Sequence, residues 1–246
     1  MRIIDAFWEK RNLGVNCKEI IIENNDTLIS FSNIIGTIES TEYVVFKVPT
    51  GRFDFYEMLS KHGFVFIEGS INFKLNLKDA FLSPLQQRLN ATISYSEMGQ
   101  NDLEKLFGEI KNGIFATDRI LLDNHFSKEQ AANRYINWIS DDLKRTAQVY
   151  KIIYKQNTIG FFTFKQTEEG IYYPFLVGLY KHYSSSGLGF TTLRKPIDEA
   201  IKRNGREIST YASTNNTIVV RSHIQQGFSM HDIQYIFVRH NKKIKE

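Results

Sequence analysis

Strand-like and helical patterns alternate along almost the whole of this chain. Short runs rich in Val, Ile and Phe, such as residues 19–23 and 43–48, are followed by segments with apolar residues at helical spacing, such as residues 53–62. This alternation predicts an α/β fold, in which helices cover a central sheet. The chain has 246 residues, 42% of them hydrophobic, which suffices for one large domain or two of moderate size without covalent cross-links.

A break in the pattern predicts where two domains meet. Periodicity is lost between residues 77 and 90, and Ser83-Pro84 interrupts any regular element there. We therefore predict an α/β half-domain over residues 1–89 and a second domain over residues 90–246. In the second domain the pattern predicts strands at residues 91–96, 147–154, 158–165, 171–180, 207–212 and 233–239, with helices at 101–111, 187–204 and 217–226 and one capped by Ser127 and Gln130.

Charge and cysteine content exclude several classes of function. The net charge is +4, and no dense run of basic residues occurs, so nucleic-acid binding is not expected. Cys17 is the single cysteine, which leaves no internal disulfide and no cysteine-based metal site, and no metal is expected. Neither a signal-peptide pattern nor an apolar run of about 18 residues is present, so we expect a soluble, cytoplasmic protein with no membrane partner.

Two segments of the chain echo each other. Residues 59–64 read as a helix end followed by Gly63-Phe64 and a strand, and residues 223–228 repeat this with Gly227-Phe228. One explanation of this similarity is a degenerate internal repeat, in which the N-terminal part of the chain copies the end of the second domain. Helix–glycine–strand junctions are also common in unrelated α/β proteins, so the echo alone does not decide between the two explanations.

The segment from Tyr172 to Gly189 has the properties of an anion site. A strand leads into a serine- and glycine-rich loop that opens a helix, where backbone N–H groups and the helix dipole favour negative charge. Thr191 offers a hydroxyl donor in the first turn. A tight turn is the alternative explanation of such a loop. The candidate cradle consists of Ser184, Ser185, Ser186, Gly187, Leu188 and Gly189.

Gly178 lies inside the strand that precedes this loop. A glycine in a strand interior marks a bulge or a close backbone approach, and a bulge would free N–H and C=O groups for an extended ligand. Simple packing is the alternative. Downstream, Asn215-Asn216-Thr217 forms a polar turn that opens the helix carrying His223.

This order of elements over residues 90–246 resembles the GNAT superfamily of acyl-CoA-dependent N-acetyltransferases. Its signature loop reads Gln/Arg-x-x-Gly-x-Gly/Ala; Gly187 and Gly189 match it, whereas Ser184 replaces the Gln or Arg. The two-part layout is similar, more narrowly, to the dTDP-fucosamine N-acetyltransferases, which also carry a GNAT-like N-terminal half-domain. The resemblance implies a mixed, mostly antiparallel central sheet with a splayed strand pair, flanked by helices and preceded by a smaller α/β half-domain.

The resemblance also implies a cofactor site for acetyl-CoA. The pantetheine amides would bind the backbone at Val177 and Leu179, the pyrophosphate would bind the amides of residues 185–189, and Asn216 would contact the pantetheine arm. A strand N–H near Val177–Gly178 would hold the oxyanion. His223 occupies the position of the family's usual tyrosine acid, so it either protonates the leaving thiolate or contacts the cofactor without proton transfer.

On the acceptor side, the resemblance points to residues on other segments. Arg119 would pair with a nucleotide diphosphate, and Tyr135 or Trp138 would pack on a base or sugar. The alternatives are that Arg119 is an ordinary surface charge and that Tyr135 and Trp138 belong to an apolar stripe of a helix in the core. The base that deprotonates the amine is not identified by the sequence. Its candidates are Asp118, His182, Glu168 and a relay through water.

The function expected from these features is acetyl-CoA-dependent N-acetylation of a small amine, with an amino sugar on a nucleotide carrier as the leading acceptor. Acyl transfer to another amine or a peptide is an alternative, and so is a catalytically silent acyl-CoA-binding module, given the residues at 184 and 223. The sequence allows a homodimer but does not predict the oligomeric state.

Overall fold

The computed structural model describes residues 1–241, and the last five residues of the predicted second domain lie outside that range. Eleven strands and nine helices occur within it. The strands are β1 (Arg2–Asp5), β2 (Cys17–Ile21), β3 (Tyr43–Pro49), β4 (Val65–Asn76), β5 (Ile93–Glu97), β6 (Gln148–Tyr154), β7 (Asn157–Glu168), β8 (Ile171–Tyr173), β9 (Val177–Leu179), β10 (Glu207–Ser213) and β11 (Ser229–His240). The helices are α1 (Trp8–Leu13), α2 (Leu28–Glu39), α3 (Phe53–Lys61), α4 (Pro84–Ala91), α5 (Gln100–Lys111), α6 (Arg119–Leu122), α7 (Lys128–Leu143), α8 (Thr191–Lys202) and α9 (Thr217–Gln225).

All strands join one sheet in the order β1-β2-β3-β11-β4-β10-β8-β7-β6-β5, with β9 paired to β7 off this path. The pairs β2–β3 and β8–β10 are parallel, and the other pairs are antiparallel. Helices cover the sheet, so the predicted mixed α/β fold with flanking helices is confirmed. The sheet continues through both predicted parts of the chain.

The two parts follow the same element order. The N-terminal half (residues 1–89) contains β2-α2-β3-α3-β4, and the C-terminal half (residues 90–241) contains β8/β9-α8-β10-α9-β11. Both helix–strand junctions use a left-handed glycine, Gly63 at φ 75° and Gly227 at φ 90°, which agrees with the echo in the sequence. The last strands are exchanged between the halves, since β11 pairs with β3 and β4 pairs with β10. Strand β4 of the N-terminal half therefore lies next to the C-terminal half's own β10.

Local sequence signals account for most helix ends. Ser127 and Gln130 form the predicted capping box of α7 through reciprocal hydrogen bonds of 2.8 and 3.1 Å. Ser83 and Gln86 form an equivalent box ahead of α4, with Pro84 in the first turn. The prediction of irregular structure up to residue 90 is therefore wrong: the Ser-Pro pair opens a helix. Further elements missed by the pattern are β1, α1, α2 and α6.

Apolar side chains pack on both faces of the sheet. On the α8 face, Phe73 and Phe162 belong to a core that includes Ile197 of α8. On the α7 face, Phe161 packs in a second core with Ile139 of α7. Neighbouring residues of β7 thus contribute to opposite cores, as strand geometry requires. Helices α8 and α7 therefore cover opposite faces of the sheet.

None of the helices in residues 1–241 combines the length and the apolar character that a membrane-crossing helix needs.

Candidate active site

The predicted strand over residues 171–180 is divided in the structure. Strand β8 pairs with β10 only at Ile171–Glu207 and Tyr172–Ile208, and β9 pairs with β7 alone among the described strands. Pro174 follows β8 and lacks the N–H that a ladder needs, so it ends the pairing at this point. The chain then leaves β10, and a gap opens between β9 and β10.

Side-chain hydrogen bonds stabilise this divided strand. The Thr210 hydroxyl donates to the Pro174 carbonyl at 3.0 Å, which replaces a backbone bond at the point of separation. The Leu176 amide donates to the hydroxyl oxygen of Thr163 at 2.8 Å, and the Leu176 carbonyl accepts from the Thr163 amide at 2.8 Å. These contacts hold β9 on β7 and away from β10. The gap is thus supported on both sides.

The backbone groups of Val177 and Leu179 point into this gap. Bonds from the Thr163 amide to Leu176 and from the Tyr180 amide to Ile159 flank the β7–β9 ladder. Antiparallel ladders alternate bonded and non-bonded pairs, so Gly178 bonds to Phe161, while Val177 and Leu179 direct their N–H and C=O groups away from β7. An extended amide-bearing ligand in the gap would meet unpaired backbone groups there.

The glycine that matters most for close approach is Gly160 rather than Gly178. Gly178 sits in regular register, and a Cβ built on it would meet the Phe161 ring at an ordinary 3.4 Å. The predicted bulge at Gly178 is therefore wrong, and the irregularity lies at residues 174–176. A Cβ on Gly160 would lie 2.4 Å from the Gly178 carbonyl oxygen. The rule applied to Gly178 applies equally to Gly160, so a sequence signal existed.

The serine- and glycine-rich loop presents free amides ahead of α8. Gly187 has φ 78°, and helix α8 begins at Thr191 rather than at the predicted Gly187. The hydroxyls of Ser184 and Ser186 donate to the carbonyls of Lys181 and Tyr183, which fixes the loop. Within this loop, four amides have no hydrogen-bond partner in residues 1–241, those of Ser185, Gly187, Gly189 and Phe190. Such a cluster of N–H groups at a helix start suits an anion.

Two residues beside the loop have roles that differ from the sequence expectation. Thr191 is fully buried and its hydroxyl donates to the Leu188 carbonyl at 2.7 Å, so this hydroxyl shapes the loop and does not face a ligand. Gln226, which the sequence did not single out, donates to the Phe190 carbonyl at 3.0 Å and joins α9 to the loop. Asn216 caps α9 by accepting from the Val219 amide at 3.2 Å, just beyond the end of β10.

His223 is buried against the sheet, with its ring stacked on Phe73 at 4.5 Å and edge-on to Phe228 at 5.0 Å. Its Nδ1 lies 2.8 Å from the Val219 carbonyl, which only accepts, so Nδ1 carries the hydrogen and Nε2 is left without a partner. Burial lowers the pKa of His223 to about 4. A neutral ring that already donates its hydrogen has no proton to deliver, so this geometry does not support the predicted acid role.

A cavity of about 680 Å³ lies on the opposite, α7 face of the sheet. Its floor comes from strands of both halves, and α1 and α7 form its walls. Tyr173 and Tyr211, whose ring centroids are 6.1 Å apart, lie on the two strands that separate at the gap. The cavity therefore reaches the two strands that separate at the gap. Both tryptophans of the chain, Trp8 and Trp138, line it.

The predicted acceptor residues divide into two groups. Arg119 and Trp138 line the cavity, and Tyr135 is buried beside it with its ring 4.4 Å from that of Phe115. Asp118 caps α6 by accepting from the Leu121 amide at 3.0 Å. The structure brings these four together. His182, by contrast, is exposed in the turn that leads to the glycine loop, and Glu168 is exposed at the end of β7.

Ion pairs beneath the cavity fix its cationic side chains. Arg119 is buried and donates to Glu19 at 2.6 Å, and Arg134 donates to Glu9 at 2.8 Å. The two cations Arg119 and Lys47 beside Glu19 hold the pKa of that carboxyl below its usual value despite its burial. The Nε atom of Arg119 has no partner. The cavity wall is therefore preorganised and charged.

A separate cluster of Asp123, His125 and His240 is the grouping in residues 1–241 with metal-compatible spacing. The carboxylate of Asp123 bonds His125 at 3.0 Å through one oxygen and His240 at 2.7 Å through the other. These hydrogen bonds occupy the three groups, and they lower the pKa of Asp123. The cluster ties the end of β11 to the loop after α6.

No family model and no curated protein matches the sequence. Solved structures do match. A functionally unknown conserved protein from Staphylococcus epidermidis superimposes with TM-score 0.68 at 12% identity, over 95% of this chain and 89% of that one. A GCN5-related N-acetyltransferase from Sphaerobacter thermophilus gives 0.65 at 9%, over 99% and 77%. A tandem GNAT protein from the clavulanic acid biosynthesis pathway gives 0.54 at 9%, over 92% and 76%. On this likeness, together with the divided strand and the amide-lined loop, the chain has the fold of the GNAT N-acetyltransferases.

Proposed function

We propose that this protein is an acetyl-CoA-dependent N-acetyltransferase whose cofactor binds in the C-terminal half. The observation that carries the proposal is the gap between β9 and β10, which opens next to a loop with four unpaired amides. The pantetheine amides would pair with the backbone of Val177 and Leu179, and the pyrophosphate would bind the loop amides at residues 185–190. Asn216, at the end of β10, lies on the other side of the gap.

In the proposed reaction the amine attacks the carbonyl carbon of the thioester directly. A C–N bond forms, the C–S bond breaks, and CoA leaves as the thiolate. The Val177 N–H, which points into the gap, is placed to stabilise the developing oxyanion. The thiolate needs little assistance from an acid, because a thiol has a pKa of only about 8.5. The buried, neutral His223 is consistent with such a step.

The cavity on the α7 face is the proposed acceptor site. Seven Arg or Lys side chains line it against four Asp or Glu, and aromatic rings from Trp8, Trp138, Tyr173 and Tyr211 are interspersed. Cations and aromatic faces together suit an acceptor with a phosphate and a ring system. We therefore propose an amino sugar linked to a nucleotide as the acceptor class, such as a dTDP-linked amino sugar.

Two measurements test the proposal. Isothermal titration of the full chain with acetyl-CoA should show binding, and release of free thiol should require an amine. The amine panel comprises dTDP-linked amino sugars, glucosamine 6-phosphate, spermidine and a lysine-containing peptide. Turnover with sugar nucleotides supports the full proposal, and turnover only with another amine or the peptide supports N-acetyl transfer with a different acceptor. Binding without release for every amine would indicate a silent acyl-CoA-binding module.

A further inference from the structure

Glu68 is one of three buried carboxylates within residues 1–241 that line the acceptor cavity, with Glu19 and Asp142, and the sequence analysis missed it. It lies on β4 and lines the cavity together with Ser70, Tyr173 and Tyr211. Its exposure is 9%, and its Oε2 atom has no hydrogen-bond partner. A buried carboxylate oxygen without a partner is costly for a protein. Its retention in a substrate-sized cavity points to a ligand that supplies the missing donor.

Strand register places Glu68 near the strand that borders the gap. Parallel pairing sets Ile171 beside Glu207, and the chain then has one extra residue relative to β7 between Tyr173 and Val177, so Gly178 lies at about the level of Ser213 to Thr214. Thr214 in turn pairs with Gly69, since its amide donates to the Gly69 carbonyl at 2.8 Å and its hydroxyl accepts from the Gly69 amide at 3.0 Å. Glu68 is the next residue along β4. Glu68 therefore lies at the end of β10 that borders the gap, on the cavity side of the sheet.

One loop contacts both the gap and Glu68. A Cβ on Gly178 would lie 3.8 Å from the side chains of Ile114 and Phe115, so the loop before α6 covers the gap on the cavity side. The same loop continues to Asp118 and Arg119, whose charges act on Glu68. The loop therefore runs from the gap to Glu68, with Tyr135 packed on Phe115.

We propose that Glu68 is the catalytic base, which accepts a proton from the ammonium group of the acceptor before acetyl transfer. This assignment rests on the proposed function. The N–H bond of the ammonium breaks and an O–H bond forms on Glu68, which leaves the neutral amine to attack the thioester. After C–N bond formation the second amine proton passes to the thiolate. Glu68 then returns its proton to water in the cavity, so one proton is released per ammonium consumed.

The surroundings of Glu68 suit this role. Burial raises the pKa of Glu68 above its usual value, and the negative charge of Asp118 raises it further. Hydrogen bonding to the carboxylate from the Ser213 side chain and from the Arg119 backbone, together with the Arg119 cation, acts in the opposite direction. Beside Glu68 on β11 lies the apolar Ile236, and Tyr135 of α7, whose hydroxyl bonds Asp118, lies close enough to feel the charge of Glu68. A carboxylate with a raised pKa is a stronger base at neutral pH. Asp118 is less suited, because its carboxylate already caps α6.

The test compares pH profiles of kcat/KM for the best amine of the panel, from pH 6 to pH 10. Glu68→Gln should lower activity about 100-fold at pH 7, in the range of general-base catalysis. The deficit should shrink above the pKa of the amine, where neutral amine arrives from solution. The acetyl-CoA dissociation constant should stay unchanged. Glu68→Asp keeps the carboxylate and should retain intermediate activity.

Glu207→Gln is the matched control, since Glu207 begins β10 at the end of the strand away from the gap and should leave the profile unchanged. If the wild type is active and the kcat/KM of Glu68→Gln lies within threefold of the wild-type value, the assignment of Glu68 is overturned and the proposed function is not. A deficit that is equal at all pH values and accompanied by weaker acetyl-CoA binding also overturns it, as that indicates a structural role. If Glu68→Gln does not fold, a Glu68→Asp profile that coincides with the wild type overturns it. A wild type that acetylates no amine contradicts the proposed function and this assignment together.

Discussion

The two halves of the molecule share one element order but differ at the position where the C-terminal half has its gap. In the N-terminal half, β2 and β3 pair along five consecutive residues from Cys17–Tyr43 to Ile21–Lys47. In the C-terminal half the equivalent parallel pairing stops after two residue pairs, and Pro174 follows. Continuous pairing leaves no backbone groups for a ligand. The difference shows that connectivity alone does not create a site, since a break in the ladder is also required.

The loops that precede the equivalent helices carry opposite polarity. Ahead of α2, the carbonyls of Glu23, Asn24 and Asp26 converge on the guanidinium of Arg52 at 2.8–3.2 Å. Ahead of α8, the loop around Gly187 contains unpaired amides. A carbonyl-lined loop binds a cation, here one of the chain's own, and an amide-lined loop suits an anion. Only the C-terminal half is therefore expected to bind acetyl-CoA, with one molecule per chain.

The largest expected effect concerns His223, whose counterpart in the N-terminal half is the fully buried Leu59, also four residues before the junction glycine. Its pKa of about 4 in the fold lies below the unfolded value of 6.5, so the unfolded state takes up a proton first as pH falls. The contribution of His223 to the free energy of unfolding is fully present above pH 6.5. It falls by about 3 kcal/mol in total as the pH is lowered to 4. His223→Leu should abolish this decline in urea titrations at pH 7, 5.5 and 4. Turnover that survives the substitution would exclude His223 as the acid.

Gly160→Ala tests whether the position of β9 controls cofactor binding. The added Cβ would collide with the Gly178 carbonyl at 2.4 Å and push β9 toward the gap. We expect acetyl-CoA affinity to fall about 30-fold, which corresponds to about 2 kcal/mol by titration calorimetry. Gly36→Ala in α2 is the control, because its Cβ meets no atom within 4 Å. An unchanged acetyl-CoA affinity in Gly160→Ala would show that the position of β9 does not control cofactor binding.

Gly187→Ala and Gly51→Ala form a matched pair across the two halves. Both glycines have positive φ, 78° and 86°, and in both cases an added Cβ meets no neighbour. Each substitution should cost about 1 kcal/mol of stability from backbone strain. Gly187→Ala alone should also weaken acetyl-CoA binding, by about tenfold, because the strained loop displaces its amides. Equal affinities in the two variants would argue against the loop as the pyrophosphate site.

Arg52→Ala should have the smallest effect on the ligand. Removal of the guanidinium leaves the carbonyls of the N-terminal loop without their donor, which should cost about 1 to 2 kcal/mol in thermal or urea unfolding. Acetyl-CoA affinity and its stoichiometry of one should not change. A second binding event in calorimetry of the wild type or this variant would break the distinction between the halves.

Sequence patterns predicted much of the fold because the signals are local. The capping box of α7, the left-handed junction at Gly63 and the hairpin turn, with Lys155 and Gln156 at positive φ, depend on adjacent residues. The candidate site was predicted less completely. The glycine loop was found, but the break at Pro174 was placed at Gly178, and Gly160 and Glu68 were missed. The break at Pro174 and the positions of Gly160 and Glu68 depend on which strands pair with each other. A local sequence pattern does not contain that information.

By itself, the sequence determined the α/β class, the repeated helix–glycine–strand junctions and the glycine-lined loop, since each follows from short-range backbone preferences. The tertiary structure decided the rest. It exchanged β4 and β11 between the halves and so brought Glu68 next to the gap. It also buried His223 deeply enough to lower its pKa to about 4. Both outcomes arise from contacts between segments far apart in the chain, where pairing and desolvation are set by the whole fold rather than by neighbouring residues.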